Sequence, residues 1–592
     1  MDRASRKSAG VNNFIIGAAL LVAVQACTNP LEIGNSFLEE PPSITDVNQD
    51  SVFARADYAN RFLTNAYRSL PYGPGYVDGA YDKSHLGNDL LESATDMNRT
   101  FGTGGGTFIY YNPPGVPYSS NNTKYNYNNS GAWSGMRQAY IFLRNVDRVP
   151  DMSESMKAQR KGEARMLIAV HYTEMFRHFG GLPWVDRPYG PNDDFELPRQ
   201  TARQTLENIV DVIDDAIEEL PFVLDNPETE SGRFTKASAM GLKCRLLLFG
   251  ASPLFNNSEP YMQGEASSMN LVWYGGEEHG LWQRAANACK ELIDEAEATG
   301  DYHLLETGNP RQDFQDAYYQ RDSPEILIST RVEYRSPSNT AIGHYYRHII
   351  AQGGGATTDN YVQMFPMADG TPIDEPGSGY DSENPYDNRD PRLYETVLVN
   401  GDEYQGRSAE LYIGGRERPT IDHVSTASGY RMRKFVLDGE SALSTIVHYP
   451  YLRLPEIYLS YAEAINEANG GPTAQAYEYL NRVRNRVGLG DLPPGLSQEE
   501  FREAVIQERA LEFGYEQVRW YDLARWKRQD DMTKPVYGMD ITNNGDGTFS
   551  YERVELPRLV WQDDWSPQWY LEAFPRDEIL KNYGLVQNPG WE

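Results

Sequence analysis

Three segments of the sequence are rich in aromatic side chains, and in two of them acidic or basic residues stand close by. Sugar rings pack their C–H faces on aromatic rings, and Asp, Asn and Arg side chains bond the hydroxyl groups at the ring edge. We therefore predict that at least one of these segments contributes to a ligand site, with the Trp273-Tyr274 pair as a smaller candidate. For any single residue the alternative is burial within loop packing. The clusters are Tyr72, Tyr76, Asp78, Tyr81 and Asp82; Phe101, Phe108, Tyr110 and Tyr111; and Tyr334, His344, Tyr345, Tyr346 and Arg347.

Sequence motifs for catalysis are missing. The chain contains no GxSxG nucleophile motif and no HExxH motif, and the run Gly102–Gly106 lacks the Lys-Ser/Thr pair of a phosphate-binding loop. A glycosidase needs two carboxylates about 5–10 Å apart, but a chain with 85 acidic residues always contains such pairs. We therefore predict that the protein is not an enzyme and keep a secreted glycan-active enzyme as the weaker alternative.

Metal-binding patterns are sparse. No CxxC motif or Cys/His cluster indicates a zinc site. His344 and His348 stand at i and i+4 without an evident third ligand. The acidic segments 387–390 (DNRD) and 543–548 (NNGDGT) could supply oxygen ligands to calcium. We expect no cofactor, with calcium as the one exception that these loops allow.

Residues 1–26 have the three parts of a signal peptide. A basic start is followed by the apolar run 14–24, which is too short for a membrane span of about 20 residues. The sequence Val24-Gln25-Ala26-Cys27 resembles a bacterial lipobox, in which the cysteine becomes the first mature residue and carries acyl chains. We predict lipidation of Cys27 and a polar tether over 27–40. The alternative is an ordinary secretory signal with an incidental cysteine.

The other two cysteines, Cys244 and Cys289, lie in apolar helical runs. Cysteine in such a run behaves as a small buried residue, so we predict that both belong to the core. The sequence leaves open whether they pair.

The chain of 592 residues is strongly acidic, with 85 acidic and 54 basic residues and a formal charge of −31. Such a surface repels phosphate backbones, which excludes nucleic acid as a partner. High net charge also keeps an exposed protein soluble, so the charge by itself assigns no specific role.

Helical periodicity dominates most of the remaining sequence. Near the C-terminus four amphipathic segments follow one another after short breaks, with Gly470 as a stop signal and Ser497 opening a capping box. Stacked helical hairpins of this kind are typical of tetratricopeptide-like repeats. We predict helices over 57–70, 130–149, 157–180, 201–220, 235–250, 281–300 and 453–530.

Two segments interrupt these helical blocks. Residues 71–129 and 301–450 are rich in Gly, Pro, Asn, Tyr and Asp, with short strand-like runs at 325–330 and 395–400. Their aromatic content argues against disorder. We predict a mainly α fold that carries a large, irregular, loop-rich ligand region.

Eight segments in order make the chain resemble the SusD/RagB nutrient-binding lipoproteins of Bacteroidetes. Besides the lipobox-like cysteine, they are 37–46 (FLEEPPSITD), 164–185, 235–255, 452–468, 477–489, 506–526 and 574–591 (FPRDEILKNYGLVQNPGW). The resemblance implies a single SusD-like domain over 41–592 and an outer-membrane, surface-exposed lipoprotein. It also implies a SusC-like TonB-dependent transporter as partner, which receives captured oligosaccharide, or peptide in some members.

The shared segments themselves predict structural roles. Arg509, Glu512, Arg519 and Asp522 stand at helical spacings and are expected to pair within or between helices. Trp133 and Trp184 lie in shared helical segments, and we assign them to the core rather than to the ligand site.

Overall fold

Helices form the frame of this structure, a computed structural model that describes a large part of the chain. The described residues are 49–70, 90–99, 125, 127–128, 130–190, 192–193, 196–331, 356–418, 428–435, 448–558 and 560–592. Among the described helices, none combines the length and hydropathy that a membrane span requires.

The α-helices of the described residues are longest between residues 130 and 300 and again after residue 453. In chain order they are α1 (Gln49–Val52), α2 (Ala56–Ala66), α3 (Ser130–Asn145), α4 (Glu154–Phe179), α5 (Ala202–Glu219), α6 (Pro227–Glu230), α7 (Lys236–Ala251), α8 (Glu265–Ser268), α9 (Gly280–Thr299), α10 (Pro310–Tyr319), α11 (Asp359–Met364), α12 (Pro391–Thr396), α13 (Leu454–Asn469), α14 (Ala474–Arg486), α15 (Gln498–Glu512), α16 (Arg519–Arg525), α17 (Gln529–Thr533), α18 (Val560–Asp563) and α19 (Arg576–Ile579). Short 3-10 helices occupy Tyr67–Ser69, Leu91–Ala94, Val146–Arg148 and Pro567–Tyr570.

Among the described residues, the strands form small antiparallel pairs instead of an extended sheet. They are β1 (Asn98–Arg99), β2 (Ile326–Arg331), β3 (Ala356–Thr357), β4 (Val397–Leu398), β5 (Glu403–Tyr404), β6 (Arg407–Ser408), β7 (Arg431–Met432), β8 (His448–Arg453), β9 (Tyr537–Asn543) and β10 (Phe549–Glu555). The pairs are β1 with β3, β2 with β8, β4 with β7, β5 with β6 and β9 with β10.

The long helices pack as an array in which each helix contacts the next one in the series. Helix α2 contacts α3, α3 contacts α4, α4 contacts α5, and α5 contacts α7. In turn, α7 contacts α9, and α9 contacts α13, which also contacts α14 and α15. An apolar stripe at helical spacing must be covered by a neighbour, and stacking meets this need from one helix to the next. The mainly α prediction is confirmed.

Local signals in the sequence set the helix ends. The Ser497 hydroxyl accepts the backbone N–H of Glu500, whose carboxylate accepts the Ser497 N–H, which is the predicted capping box. Gly470 ends α13 with φ of 68°, a left-handed conformation that suits glycine.

Trp133 and Trp184 are half-buried against the core, as predicted, and the Trp184 ring stacks on Tyr172 with 4.2 Å between the ring centres.

The second loop-rich segment is an insertion into the array. Helix α9 ends at Thr299 and α13 begins at Leu454, yet these two helices pack directly on each other. The predicted strand at 325–330 is β2. The predicted strand at 395–400 is wrong in its first part, because Asp390 caps the short helix α12, which runs through Thr396 before β4 begins.

Cys244 and Cys289 form a disulfide between α7 and α9. Both residues are fully buried, as predicted, and their Cα atoms are 4.9 Å apart. The pairing that the sequence left open follows from the packing of these two neighbouring helices.

The acidic segment 543–548 is the turn of the β9–β10 hairpin. The Asn543 side chain accepts the Gly545 N–H at 2.9 Å, and the Asp546 side chain accepts the Thr548 N–H at 3.0 Å. Its Asn and Asp groups therefore bond the backbone of their own turn. Nowhere in the described ranges do three or more His, Cys, Asp or Glu side chains form a group that could hold a metal ion. The calcium site stays a prediction.

Candidate ligand-binding site

The three predicted aromatic clusters and Cys27 lie outside the described residues. Trp273 is described, and its indole N–H donates to the Ser267 carbonyl oxygen at 2.8 Å. The ring is half-buried against the core, and the Arg203 guanidinium lies 4.1 Å from the ring centre of the adjacent Tyr274. These contacts give the Trp273-Tyr274 pair a packing role. A ligand role for Trp273 stays a prediction.

The described strands bring together the ends of the segments that carry the clusters. Segment 100–124 follows Arg99, segment 332–355 precedes Ala356, and Arg99 pairs with Ala356 in the β1–β3 ladder. The 3-10 helix Leu91–Ala94, which closely follows segment 71–89, contacts β1. All three cluster-bearing segments therefore join the described fold around one strand pair. Residues 99 and 356 are far apart in sequence, and no local pattern predicts their pairing.

A buried carboxylate, Asp96, anchors this strand pair. It is 1% exposed and accepts two hydrogen bonds from the Arg519 guanidinium, at 3.1 and 2.9 Å. The Lys534 ammonium lies 2.8 Å from the same group. Burial by itself would raise the pKa of Asp96, but the two cations outweigh it and hold that pKa well below its usual range. The carboxylate therefore stays ionised, and it ties the start of β1 to α16.

A turn after α15 supplies two further contacts. Tyr515 and Gln517 both adopt left-handed backbone conformations, with φ of 62° and 61°. Side chains with a Cβ rarely adopt this region, so packing must hold the turn in place. The Tyr515 hydroxyl bonds the Thr357 hydroxyl on β3, and the Gln517 N–H donates to Glu92 before β1. The turn therefore contacts β3 directly and contacts β1 through the 3-10 helix that contains Glu92.

The predicted pairing within or between helices is confirmed for Arg509, which donates to Asp522 at 2.8 Å. Arg519 instead binds Asp96, which lies in the bend before β1 and not in a helix. Glu512 lies in a buried ion network, defined here as five cations and five anions that are linked by ion pairs at the junction of β8, α12, α14 and α15. Its members are Arg392, Lys434, Arg453, Arg484 and Arg486 with Glu325, Asp390, Glu508, Glu512 and Glu516.

The buried ion network joins the inserted segment to the helical array. Arg392 comes from the insertion, and its guanidinium bonds Asp390, Glu508 and Glu512. Buried charges are tolerated only when they are paired and hydrogen-bonded, and here the formal charges balance. The network therefore fixes the position of the insertion, and with it the base of the predicted ligand region.

Glu92 behaves differently from Asp96. It is fully buried, and the Gln517 N–H donates to one of its oxygens while the other has no partner among the described residues. Burial without a direct cation raises the pKa of Glu92 to about 7. The Glu92 carboxyl group is therefore expected to change charge near neutral pH. It lies in the 3-10 helix that contacts β1.

We expect Glu92→Gln to remove a pH-dependent part of the stability. Because the folded pKa is raised, Glu92 stabilises the fold below its ordinary pKa, and that contribution is lost as the pH rises towards and through 7. The loss between pH 5 and pH 7 is about 2 kcal/mol in wild type and absent in the variant. Urea unfolding at a series of pH values measures it. Parallel pH profiles for the two proteins would contradict the assignment.

Comparison with known proteins supports one family along most of the chain. The family described as SusD family matches residues 329–591, and the family described as starch-binding associating with outer membrane matches residues 37–248. SusD-like protein P25 of Formosa agariphila is 44% identical over 414 residues, which cover 66% of this chain and 67% of that protein. SusD-like protein P2 of the same organism is 30% identical over 163 residues, which span 26% of this chain and 28% of that protein.

Solved structures share the fold at lower sequence identity. A SusD-like protein from Bacteroides fragilis has a TM-score of 0.69 at 22% identity, covering 91% of this chain and 98% of that one. A SusD-like carbohydrate binding protein from the same species has a TM-score of 0.68 at 19% identity, with 90% and 99% covered. A laminarin binding SusD-like protein has a TM-score of 0.55 at 19% identity, with 90% and 99% covered. The chain belongs to the SusD family.

Proposed function

We propose that this protein is a lipid-anchored outer-membrane protein that captures oligosaccharides at the cell surface. It delivers them, without cleavage, to a SusC-like TonB-dependent transporter. One observation carries the binding role: in a SusD-family chain, the β1–β3 pair joins the ends of two segments that carry predicted aromatic clusters. Loops on a rigid scaffold are the usual place for a binding site.

The relatives support a glycan as the ligand. One matching family is described as starch-binding, and two similar structures are of a carbohydrate binding protein and of a laminarin binding protein. The first two aromatic clusters contain no basic side chain, and the chain as a whole is acidic. Neutral sugars suit such a surface better than anions do.

The cysteines support export and anchoring. Cys244 and Cys289 are joined to each other, so Cys27 is the one cysteine left for acylation. Disulfides persist in oxidising compartments outside the cytosol. The matched family described as associating with the outer membrane agrees with this location.

A peptide ligand is the main alternative, and catalysis of glycan cleavage is a weaker one. Peptide capture needs a polar groove that binds backbone groups, whereas glycan capture needs exposed aromatic ring faces. A binding screen that includes both ligand classes and follows product formation separates the three functions.

We expect the Tyr110→Ala/Tyr345→Ala variant to bind oligosaccharide at least about tenfold more weakly than wild type, because each change removes a ring face worth about 1 kcal/mol. Calorimetry on the purified protein, with neutral glucans, galactans and mannans as probes, measures the loss. Tyr58→Ala is the matched control, since Tyr58 is 43% exposed on α2, outside the clusters. Equal affinity in all three proteins, binding of peptides alone, or release of new reducing ends would overturn the proposal.

A further inference from the structure

A cavity of about 610 Å³ lies between α11, the segment 372–385 and the β9–β10 hairpin. Its size is within the range of small-molecule binding sites. Met364, Pro366 and Met539 supply apolar lining. The side chains that could bind a polar ligand are Gln363, Asp374, Tyr380, Gln507, Tyr551 and Arg553. All of these residues are described, and none belongs to the predicted aromatic clusters.

Arg389 fixes two walls of this cavity to each other. It is 1% exposed, and its guanidinium donates to the carbonyl oxygens of Val362 and Phe365 at 2.8 and 2.7 Å, at the end of α11. The same group donates to the Pro385 carbonyl oxygen at 2.7 Å and lies 5.5 Å from the centre of the Tyr380 ring. Arg389, which lies in the segment 387–390 that the sequence suggested as a calcium loop, thus holds the two walls together without lining the cavity itself.

Asp359 orients two of the lining side chains. It is fully buried, and the Gln363 amide donates to one oxygen at 3.1 Å while Arg553 Nε donates to the other at 2.7 Å. The Arg553 guanidinium also stacks 3.8 Å from the centre of the Tyr537 ring. Both side chains are therefore held in place before any ligand arrives, which lowers the entropy cost of binding.

The cavity keeps both donors and acceptors free. Within the part of the chain that the structure describes, the terminal nitrogens of Arg553 and the carboxylate of Asp374 make no hydrogen bond or ion pair. Gln507 donates to the Met364 carbonyl, and its own side-chain oxygen stays free. Sugar hydroxyl groups donate and accept at once, so they need both kinds of partner. An anionic ligand would need only donors, and the negative charges of Asp374 and of the buried Asp359 would repel it.

We propose that this cavity is a second carbohydrate site that takes one or two neutral sugar units. The Tyr380 and Tyr551 rings contact the C–H face of the sugar, and Arg553, Gln507 and Asp374 bond its hydroxyl groups. The proposal rests on the proposed function in that it takes the ligand to be a glycan, but it uses none of the residues on which that function depends. Because α11 begins two residues after β3, the second site lies close in the chain to the base of the predicted ligand region.

The test uses saturation-transfer NMR on the full protein with the Tyr110→Ala/Tyr345→Ala changes, so that the first site is weakened. The probes are the methyl glycosides of glucose, galactose and mannose and their β1,4-linked disaccharides, with glucuronate as the anionic comparison. We expect a neutral probe to bind, and Tyr551→Ala and Arg553→Gln each to weaken its binding at least about fivefold. Tyr551→Phe, which keeps the ring, and Arg576→Gln, at an exposed arginine on α19, should bind like the parent.

Gln507→Ala controls for misfolding of the β9–β10 hairpin, because Gln507 is an exposed residue of α15 and not part of the hairpin. This variant should also weaken binding, with unchanged thermal unfolding. The second site is wrong if no neutral probe binds to the Tyr110→Ala/Tyr345→Ala parent, or if glucuronate alone binds. It is also wrong if Tyr551→Ala binds the neutral probe as tightly as the parent does. Calorimetry on the Tyr551→Ala variant of the otherwise wild-type protein reports the first site separately, so loss of one site is distinguishable from loss of the other.

Discussion

Replacing Glu512 with glutamine is expected to lower the free energy of unfolding by roughly 3–5 kcal/mol, the usual effect of removing one partner from a buried ion pair. Glu512 is fully buried, and the guanidinium groups of Arg392, Arg453 and Arg486 surround its carboxylate. These arginines outweigh the effect of burial and hold the pKa of Glu512 below its ordinary range. Without the carboxylate, the buried ion network carries an uncompensated positive charge.

The matched control for this prediction is Glu503→Gln on the same helix, α15. Glu503 also pairs with an arginine, Arg528, at 2.7 Å, but its side chain is 46% exposed. Exposed pairs contribute about 0–1 kcal/mol. Urea unfolding midpoints of the two variants measure the contrast. A loss in Glu512→Gln no greater than that in Glu503→Gln would show that the network does not hold the insertion on the array.

Replacing Cys27 with alanine is expected to move nearly all of the protein from the membrane fraction to the soluble fraction. Several acyl chains on one residue anchor a protein stably, whereas a single chain gives only marginal binding. None of the described helices offers a second way to cross a membrane. Fractionation of cells, together with metabolic labelling by a fatty-acid analogue, measures both the location and the modification.

Thr28→Ala is the control for Cys27→Ala, because it changes the adjacent residue and leaves the thiol intact. It should remain labelled and membrane-bound. If the Cys27→Ala protein stays in the membrane fraction after a high-salt wash, the lipid anchor is wrong. If it is released but keeps its affinity for glycan, anchoring and binding are separate properties of the chain.

The proposed site at the aromatic clusters and the proposed cavity site together suggest how a long glycan could be bound. Two weak sites on one protein raise the overall affinity for a ligand that spans both, without any new contact. A polysaccharide fragment would then bind more tightly than a disaccharide that fills either site.

Sequence reasoning predicted the helical scaffold well because helix formation depends on near neighbours. A few residues are enough to predict the capping box at Ser497 and the stop at Gly470. In the structure Ser497 caps the start of α15 and Gly470 ends α13. It missed helix α10 and the β9–β10 hairpin, whose stability depends on the elements that they contact.

The mainly α frame, the loop-rich insertion, the family and the predicted anchor at Cys27 can all be inferred from the residues alone. Each depends on periodicity, composition or a local motif. The folded chain was needed to show that Arg99 pairs with Ala356, that Cys244 pairs with Cys289, and that Arg389 joins two walls of a cavity. These contacts join residues far apart in the chain. Their energy comes from burial and from pairing of charges that no local pattern specifies.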